Sequence, residues 1–288
     1  MTSDEPPLRR QTKPEEAEIY PVMLTPFTDG NEVDYPSLER LIRWYEDGGA
    51  DGLFAVCLSS EMFFLFPEER LALARFVRKH SRLPVVASGH VGGDLGRQVE
   101  DLQAMAETGV DAVVLTSSAL AAEDETDRRL IRNLESVLDR LDSATSLGIY
   151  ECPIPYKRVL SDEVFDFMAG TGRFTFLKDT CCDIERIERR LRRAAGTAFR
   201  LYNAHADTLI QSLQLGARGY GGVQANCSIK LLRHICDHHA EPDAIADAVA
   251  LLQRVAAFCL AHHYPIAAKE ILRLRGVFDT IQTRSLVM

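Results

Sequence analysis

Eight short apolar runs alternate with amphipathic segments along this chain, and that alternation limits its possible folds more than any other feature. Most of the runs are rich in Val, Leu or Phe and lack strict polar alternation, as is typical of parallel strands covered on both faces. The predicted strands are residues 19–24, 52–56, 84–88, 112–116, 147–150, 174–177, 199–202 and 219–223.

The segments between these runs have helical periodicity and recognisable helix starts. Asp34 and Asp183 stand at positions typical of an N-cap, and Pro67 stands at the first turn of another helix. The repeated strand–helix units predict an α/β fold, the (β/α)₈ TIM barrel. An open doubly wound sheet is the competing arrangement, but no GxGxxG motif follows the first run, which argues against its dinucleotide-binding form.

The chain of 288 residues has no internal linker or repeat, so residues 19–288 are predicted to form one barrel domain. From about residue 229 onward no strand pattern appears, and this segment predicts the eighth barrel helix followed by two or three additional C-terminal helices. Residues 1–18 are polar and contain several prolines, which predicts a flexible N-terminal arm.

Composition argues against several classes of function. The net charge of −9 argues against a nucleic-acid-binding surface, and no run approaches the roughly 20 apolar residues that a membrane helix needs. The seven cysteines form no CxxC motif and no apolar leader is present, so we expect reduced thiols and a cytoplasmic location. No convincing set of three metal ligands occurs, and we expect neither a metal nor a cofactor.

Functional residues of such barrels sit at the carboxyl ends of the strands. Polar residues that follow the apolar runs are therefore candidates for the site. They are Thr25, Ser59, Ser60, Glu61, Thr116, Tyr150, Lys178, Asn203 and His205.

Lys178 is the sharpest candidate, because among the six lysines it alone follows directly on a strand-like run. Burial at the barrel mouth would disfavour its charged form and lower its pKa. The resulting neutral amine is what Schiff-base formation on a ketone requires. The alternative is a lysine that forms an ion pair with Asp179 at the strand end.

Tyr150 ends the preceding run and lies 28 residues before Lys178, a separation comparable to one strand–helix unit. The two side chains can therefore be neighbours, and a phenol beside an amine can shuttle protons. The alternative is a tyrosine that only packs at the end of its strand.

The turn after the second run offers hydroxyls and backbone amides that can bind a carboxylate, so Ser59 and Ser60 are predicted to bind substrate. Thr25, His205 and Gly222 join this predicted set, since each stands at or near the end of a predicted strand. His205 is also the second choice for a proton carrier.

These residues resemble the dihydrodipicolinate synthase / N-acetylneuraminate lyase family of pyruvate-dependent class I aldolases. The resemblance extends from Ile19 to Val277 and is most specific at the tyrosine and lysine strands. The matching segments are residues 24–27, 59–61, 150–153, 176–179, 215–219 and 265–269.

The resemblance implies a lyase that acts on pyruvate or a related 2-oxo acid through a Schiff base on Lys178. It implies that Tyr150 carries the proton, that the turn at Ser59 binds the carboxylate, and that the chain forms a homodimer or homotetramer. Three positions differ from the family's pattern. Ser60 replaces a glycine of the family's turn, Ala119 replaces a relay tyrosine, and Pro155 replaces an arginine that binds the second substrate of the synthases.

Two other functions therefore stay open. One is 4-hydroxy-tetrahydrodipicolinate synthase activity itself, which the missing tyrosine and arginine disfavour. The other is a catalytically altered barrel that binds a 2-oxo acid without turnover.

Overall fold

The computed structural model describes residues 16–285, within which eight strands form a single parallel sheet. The strands are β1 (Glu18–Ile19), β2 (Leu53–Phe54), β3 (Val85–Ser88), β4 (Ala112–Thr116), β5 (Leu147–Tyr150), β6 (Phe174–Asp179), β7 (Arg200–Asn203) and β8 (Gly219–Tyr220). Six of the predicted strands, the second to the seventh, match to within two residues at each end.

The sheet closes on itself. Its order is β1-β8-β7-β6-β5-β4-β3-β2, and a parallel bridge between Val22 and Phe54 joins the chain after β1 to β2. The predicted TIM barrel is thereby confirmed, and the open doubly wound sheet is excluded. β1 and β8 are shorter than predicted. Pro21 has no N–H to donate to a ladder, which is consistent with β1 ending at Ile19.

Eleven α-helices accompany the strands in the described part of the chain. They are α1 (Tyr35–Asp47), α2 (Pro67–His80), α3 (Leu95–Ala106), α4 (Ser117–Leu120), α5 (Asp127–Arg140), α6 (Asp162–Gly170), α7 (Ile184–Ala194), α8 (Leu209–Gln214), α9 (Ala225–Asp237), α10 (Ala246–Ala261) and α11 (Ile266–Leu274). None of them is long and apolar enough to cross a membrane.

The helix starts follow the local sequence. The Asp34 carboxylate accepts a hydrogen bond from the Ser37 amide, and the Asp183 carboxylate accepts one from the Arg186 amide, so both predicted N-caps are observed. Pro67 is the first residue of α2. The helical C-terminal region begins at Ala225 rather than near residue 229, and it consists of α9 with two additional helices.

The predicted boundary of the N-terminal arm falls close to the start of the barrel. Glu18 already pairs with Gly219 in the sheet, one residue before the predicted start. Residues 1–15 of the predicted arm lie outside the described residues.

An aromatic layer fills the barrel below its carboxyl-terminal mouth. The ring of Tyr202 lies 4.7 Å from the rings of both Tyr20 and Phe176, and Phe54 lies 5.7 Å from Phe176. Lys178 is two residues beyond Phe176 on the same strand. Because side chains two apart in a strand share a face, the aromatic layer forms the floor beneath Lys178.

Candidate active site

Tyr150 and Lys178 lie side by side at the carboxyl ends of adjacent strands. The register of β5 and β6 pairs the two residues directly. Lys178 Nζ is 4.2 Å from the centroid of the Tyr150 ring and 5.8 Å from that of Phe54. Both side chains are nearly covered, with 2% of Tyr150 and 4% of Lys178 exposed. The amine and the phenol therefore share one enclosed site.

The residue that follows each member of this pair in the chain anchors it from the outer face of the sheet. Arg190 of α7 is fully buried and forms ion pairs with Glu151, at 2.6 Å, and with Asp179. Removing one partner from such a buried pair typically costs about 3–5 kcal/mol of folding free energy. The Arg190 clamp, meaning Arg190 with Glu151 and Asp179, thus fixes the two strand ends. It also means that Asp179 pairs with Arg190, so the alternative of a Lys178–Asp179 ion pair is wrong.

The surroundings of Lys178 favour its neutral amine. Burial lowers the pKa of Lys178, and the nearby Cys57 and Cys152 thiols act in the opposite direction. Within residues 16–285 no carboxylate lies at ion-pair distance from its Nζ. An unpaired, desolvated amine is the nucleophile that attack on a carbonyl needs.

Tyr150 is held in its protonated form. Burial raises the pKa of the Tyr150 phenol well above its ordinary value, and the Cys152 and Cys57 thiols raise it further. The protonated phenol is suited to donate a proton first. Any later phenolate would have to be stabilised by a hydrogen-bond donor.

The hydroxyls in and around the turn after β2 form different hydrogen bonds. The Ser60 hydroxyl lies 2.8 Å from the carbonyl oxygens of both Met23 and Ala55 and accepts from the Cys57 amide at 3.1 Å. The Thr25 hydroxyl donates to the Ser60 carbonyl at 2.8 Å. The Thr25 and Ser60 hydroxyls thus both form hydrogen bonds that fix the turn, and substrate binding by these two residues stays a prediction.

Ser59 is differently placed. Its side chain acts to lower the pKa of the Tyr264 phenol, which burial raises, and Tyr264 precedes α11. Ser59 is 2% exposed and lies in the same turn as Cys57, the thiol that acts on both Lys178 and Tyr150. Binding of the substrate carboxylate by Ser59 stays a prediction.

Glu61 ties this turn to the C-terminal segment. Its carboxylate accepts from Lys269 at 2.6 Å, from Thr283, and from the amides of Arg284 and Ser285. Burial alone would raise the pKa of Glu61, but the Lys269 ammonium and these hydrogen bonds hold it below its ordinary value. The C-terminal helices are thereby anchored against the turn that carries Ser59.

The two remaining predicted residues lie near β7 and β8. The His205 ring contacts Thr208 at 3.5 Å and Asp207 at 3.7 Å, and it is partly exposed. A Cβ on Gly222 would come within 2.2 Å of the Tyr220 hydroxyl, so that glycine is explained by packing. Gly221 is the glycine beside the site, since a Cβ there would lie 3.9 Å from Lys178 Cγ.

Sequence reasoning missed His90, which joins β3 to β4. It is fully buried, its Nε2 accepts from the Thr116 amide at 2.9 Å, and Gln98 lies beside its ring. Burial lowers the pKa of His90 to about 4, so it is a neutral structural bridge.

Thr116 and Ser88 each carry a buried hydroxyl without a partner among the described residues. Thr116 pairs in register with Tyr150, so this hydroxyl lies next to the site.

The loops after β4 and β5 are bonded to each other. The Ser117 hydroxyl donates to the Arg158 carbonyl at 2.8 Å, and the Ser118 hydroxyl donates to the Ile154 carbonyl at 3.0 Å. The Arg158 guanidinium points away, to the Ala122 and Glu125 carbonyls and to Asp127. The small side chains after β4 therefore accommodate the neighbouring loop.

Solved structures of several enzymes share this fold. The chloride-inhibited dihydrodipicolinate synthase of Acinetobacter baumannii, complexed with pyruvate, is 20% identical with a TM-score of 0.83, covering 95% of this chain and 93% of that one. CdNal of Clostridium difficile, in complex with mannosamine, is 19% identical with a TM-score of 0.79, covering 91% and 89%. Similarity at this level of identity supports the barrel alone.

Comparison of sequences gives information on the family as well as the fold. The chain is 25% identical to 4-hydroxy-tetrahydrodipicolinate synthase of Shewanella sp. (strain MR-4) over 250 residues, which are 85% of this chain and 83% of that protein. It is 27% identical to the protein of the same name from Shewanella denitrificans over 217 residues, or 75% and 72%. A sequence profile of the dihydrodipicolinate synthetase family matches residues 15–286, and the chain therefore belongs to that family.

Proposed function

We propose that this protein is a Schiff-base-forming class I lyase or aldolase that acts on pyruvate or a related 2-oxo acid. The observation that carries the proposal is the Lys178 amine, which is buried, lacks an ion-pair partner among the described residues and lies against Tyr150. An amine of this kind is activated for attack on a carbonyl carbon.

The two residues divide the chemistry between them. The Lys178 amine adds to C2 of the oxo acid and forms a carbinolamine. Tyr150 donates its proton to the carbinolamine oxygen, which leaves as water, and the iminium ion remains. Loss of a proton from C3, or cleavage of the bond between C3 and C4, then places the electron pair in an enamine. The iminium ion serves as the electron sink, so the step requires no metal.

The proposal is tested by trapping the imine. The protein is incubated with each member of a panel of 2-oxo acids and borohydride, and the adduct is mapped by peptide mass spectrometry. The expected result is one reduced adduct on Lys178. No adduct across the panel, or an adduct on another lysine, would refute the proposal. An adduct without any turnover would instead support the 2-oxo-acid-binding alternative.

The rate of imine formation should report the lowered pKa of Lys178. Burial lowers that pKa, so the neutral amine becomes populated below the pH of about 10.4 at which an ordinary lysine is half neutral. Adduct formation with pyruvate, followed by intact mass over a pH series, should therefore rise with pH and level off below that value. A midpoint at or above it would contradict the assignment.

Efficient 4-hydroxy-tetrahydrodipicolinate synthase activity is the second candidate, because the curated relatives carry that name. We expect it to be weak. Pro155 offers neither charge nor an N–H to a second carboxylate, Ala119 cannot carry a proton, and the Arg158 guanidinium is already bound by its own loop. The deciding assay combines pyruvate with aspartate semialdehyde and follows the product with its reductase. A kcat/KM of about 10⁴ M⁻¹s⁻¹ or more would promote this candidate.

The association of the chain into a homodimer or homotetramer stays a prediction from the family resemblance. Light scattering at micromolar concentration distinguishes these species from the 32.2 kDa chain alone.

A further inference from the structure

Cys227 and Cys259 form a pair of buried thiols between the first turn of α9 and the last turn of α10. Their Sγ atoms lie 3.3 Å apart, although the two residues are 32 positions apart in the chain. Cys227 is 2% exposed and Cys259 is 4% exposed. A disulfide bond is about 2.05 Å long, so the two sulfur atoms are within about 1.3 Å of bonding distance.

The hydrogen bond between the two thiols makes them chemically unequal. It lowers the pKa of the Cys259 thiol, and it raises the pKa of the Cys227 thiol, which burial raises further. Cys259 is therefore the thiol that ionises first. Because the thiolate is the form that reacts with an oxidant, Cys259 is the nucleophile of the pair and Cys227 stands beside it as the second thiol.

The two helices that carry the pair are attached to the barrel to different extents. In α9, Asn226 Nδ2 donates to the Val22 carbonyl at 2.9 Å, and Arg233 forms an ion pair with Asp51 at 2.8 Å. Seven residues of α9 are buried, whereas α10 buries two of its 16 residues, Leu252 and Cys259. α9 is thus the fixed helix, and α10 is held by few buried side chains.

The weak attachment of α10 gives a small oxidant access to the pair. Phe258 and Leu260, the chain neighbours of Cys259, are 50% and 68% exposed, so this part of α10 lies at the protein surface. Segments with few buried apolar contacts open locally at low cost in free energy. Hydrogen peroxide can therefore reach Cys259 without unfolding of the barrel.

We propose that Cys227 and Cys259 are an oxidation site, at which a hydroperoxide forms a disulfide that ties α10 to the barrel. With hydrogen peroxide, the Cys259 thiolate attacks one oxygen, the O–O bond breaks, and a sulfenic acid and hydroxide form. The hydroxide takes up the proton that Cys259 lost. The Cys227 thiol then attacks the Cys259 sulfur, and the sulfenic oxygen leaves as water with the Cys227 proton. Two thiols and one hydrogen peroxide thus give one disulfide and two waters.

This disulfide should stabilise the folded protein. It closes a loop of about 30 residues and so reduces the conformational entropy of the unfolded chain. Little movement of the sulfur atoms is needed, so the folded state should accept the bond without distortion. We expect the melting temperature of the oxidised protein to be higher than that of the reduced protein by about 5–10 °C. The proposal does not depend on the imine chemistry of Lys178.

The test uses the full-length protein with Cys181→Ser and Cys182→Ser, which removes the two least buried thiols and leaves five cysteines. The protein is treated with hydrogen peroxide, the remaining thiols are alkylated, and the peptides are mapped by mass spectrometry without reduction. The expected product is one cross-linked peptide pair that contains Cys227 and Cys259. Free thiols counted in denaturant should fall from five to three, and dithiothreitol should restore both thiols and the lower melting temperature.

Cys236→Ser is the matched control for Cys259→Ser. Cys236 is also buried on α9, so its loss should leave the cross-link and the rise in melting temperature unchanged. Cys259→Ser should abolish both. The proposal is overturned if peroxide gives no cross-link between Cys227 and Cys259, or if Cys259 pairs equally with Cys236, which is the pattern of random pairing in an opened chain. A cross-link that leaves the melting temperature unchanged or lower would refute the stabilising tie.

The peptide map of the oxidised wild-type protein decides the question if a serine variant does not fold. It identifies the bonded cysteines directly, and a cross-link between Cys181 and Cys182 would appear as a separate product. Wild-type protein in which Cys227 and Cys259 are both recovered as alkylated thiols would overturn the proposal.

Discussion

Replacing Lys178 by methionine should abolish imine trapping and reduce turnover by about 10⁴- to 10⁶-fold, the scale of loss when a covalent nucleophile is removed. Methionine has a similar length and packs against apolar surfaces, so the substitution removes the amine with little change in volume. Turnover of the best-trapped oxo acid and the mass of the borohydride-treated protein measure the effect.

Stability should respond in the opposite sense. Burial lowers the pKa of Lys178 in the folded protein. Near neutral pH the amine is charged in the unfolded chain, so burying it makes folding less favourable. Lys178→Met removes that cost, and the melting temperature should be equal or higher. A variant that is inactive because it has unfolded would melt lower.

Lys230→Met is the matched control for chemistry. Lys230 lies on α9 and is exposed, so its loss should leave adduct formation and turnover unchanged. An adduct that persists in Lys178→Met would move the nucleophile to another lysine.

The barrel could be predicted because its signals are local. The runs that became β3 to β7 are continuous and apolar, and Asp34, Pro67 and Asp183 mark helix starts by chemistry that acts within one turn. The extents of β1 and β8 were harder to predict, since these two strands pair with each other and their pairing joins distant parts of the chain.

The pairing of Tyr150 with Lys178 was predictable for a related reason. One strand–helix unit separates them, and parallel strands bring equivalent ends together. The inward direction of both side chains was not predictable residue by residue. It follows from the Arg190 clamp, whose members come from three separate elements.

The different hydrogen-bonding roles of the Ser59 and Ser60 hydroxyls could not be predicted from the sequence. Ser59 and Ser60 are adjacent and identical in chemistry, but the Ser60 hydroxyl forms hydrogen bonds with the backbone carbonyls of Met23 and Ala55, whereas Ser59 acts on the pKa of Tyr264. No local rule distinguishes them. The position of Tyr264, whose hydroxyl accepts from Asn226, could not be predicted either, because it depends on how the C-terminal helices dock through Glu61 and Lys269.

Replacing Tyr150 by phenylalanine should lower turnover by about 10²- to 10⁴-fold, the usual effect of removing a positioned general acid–base group. The ring that packs over Lys178 and Phe54 remains, so the fold and the amine are kept. Borohydride should still trap an adduct on Lys178, but more slowly, because water then leaves the carbinolamine without a proton donor beside it. Rates of trapping and of turnover, measured on the same samples, separate this defect from loss of the nucleophile.

Tyr202→Phe provides the comparison for Tyr150→Phe. Tyr202 also faces the barrel interior, but its hydroxyl bonds Glu18 at the opposite end of the barrel, so its loss should not slow imine trapping.

Near-normal turnover in Tyr150→Phe would transfer the proton-carrying role to another group. His205 would be the next to test, although its ring is partly exposed and contacts Thr208 and Asp207. The proton on the partly exposed His205 would exchange freely with water. The enclosed position of Tyr150 prevents such exchange.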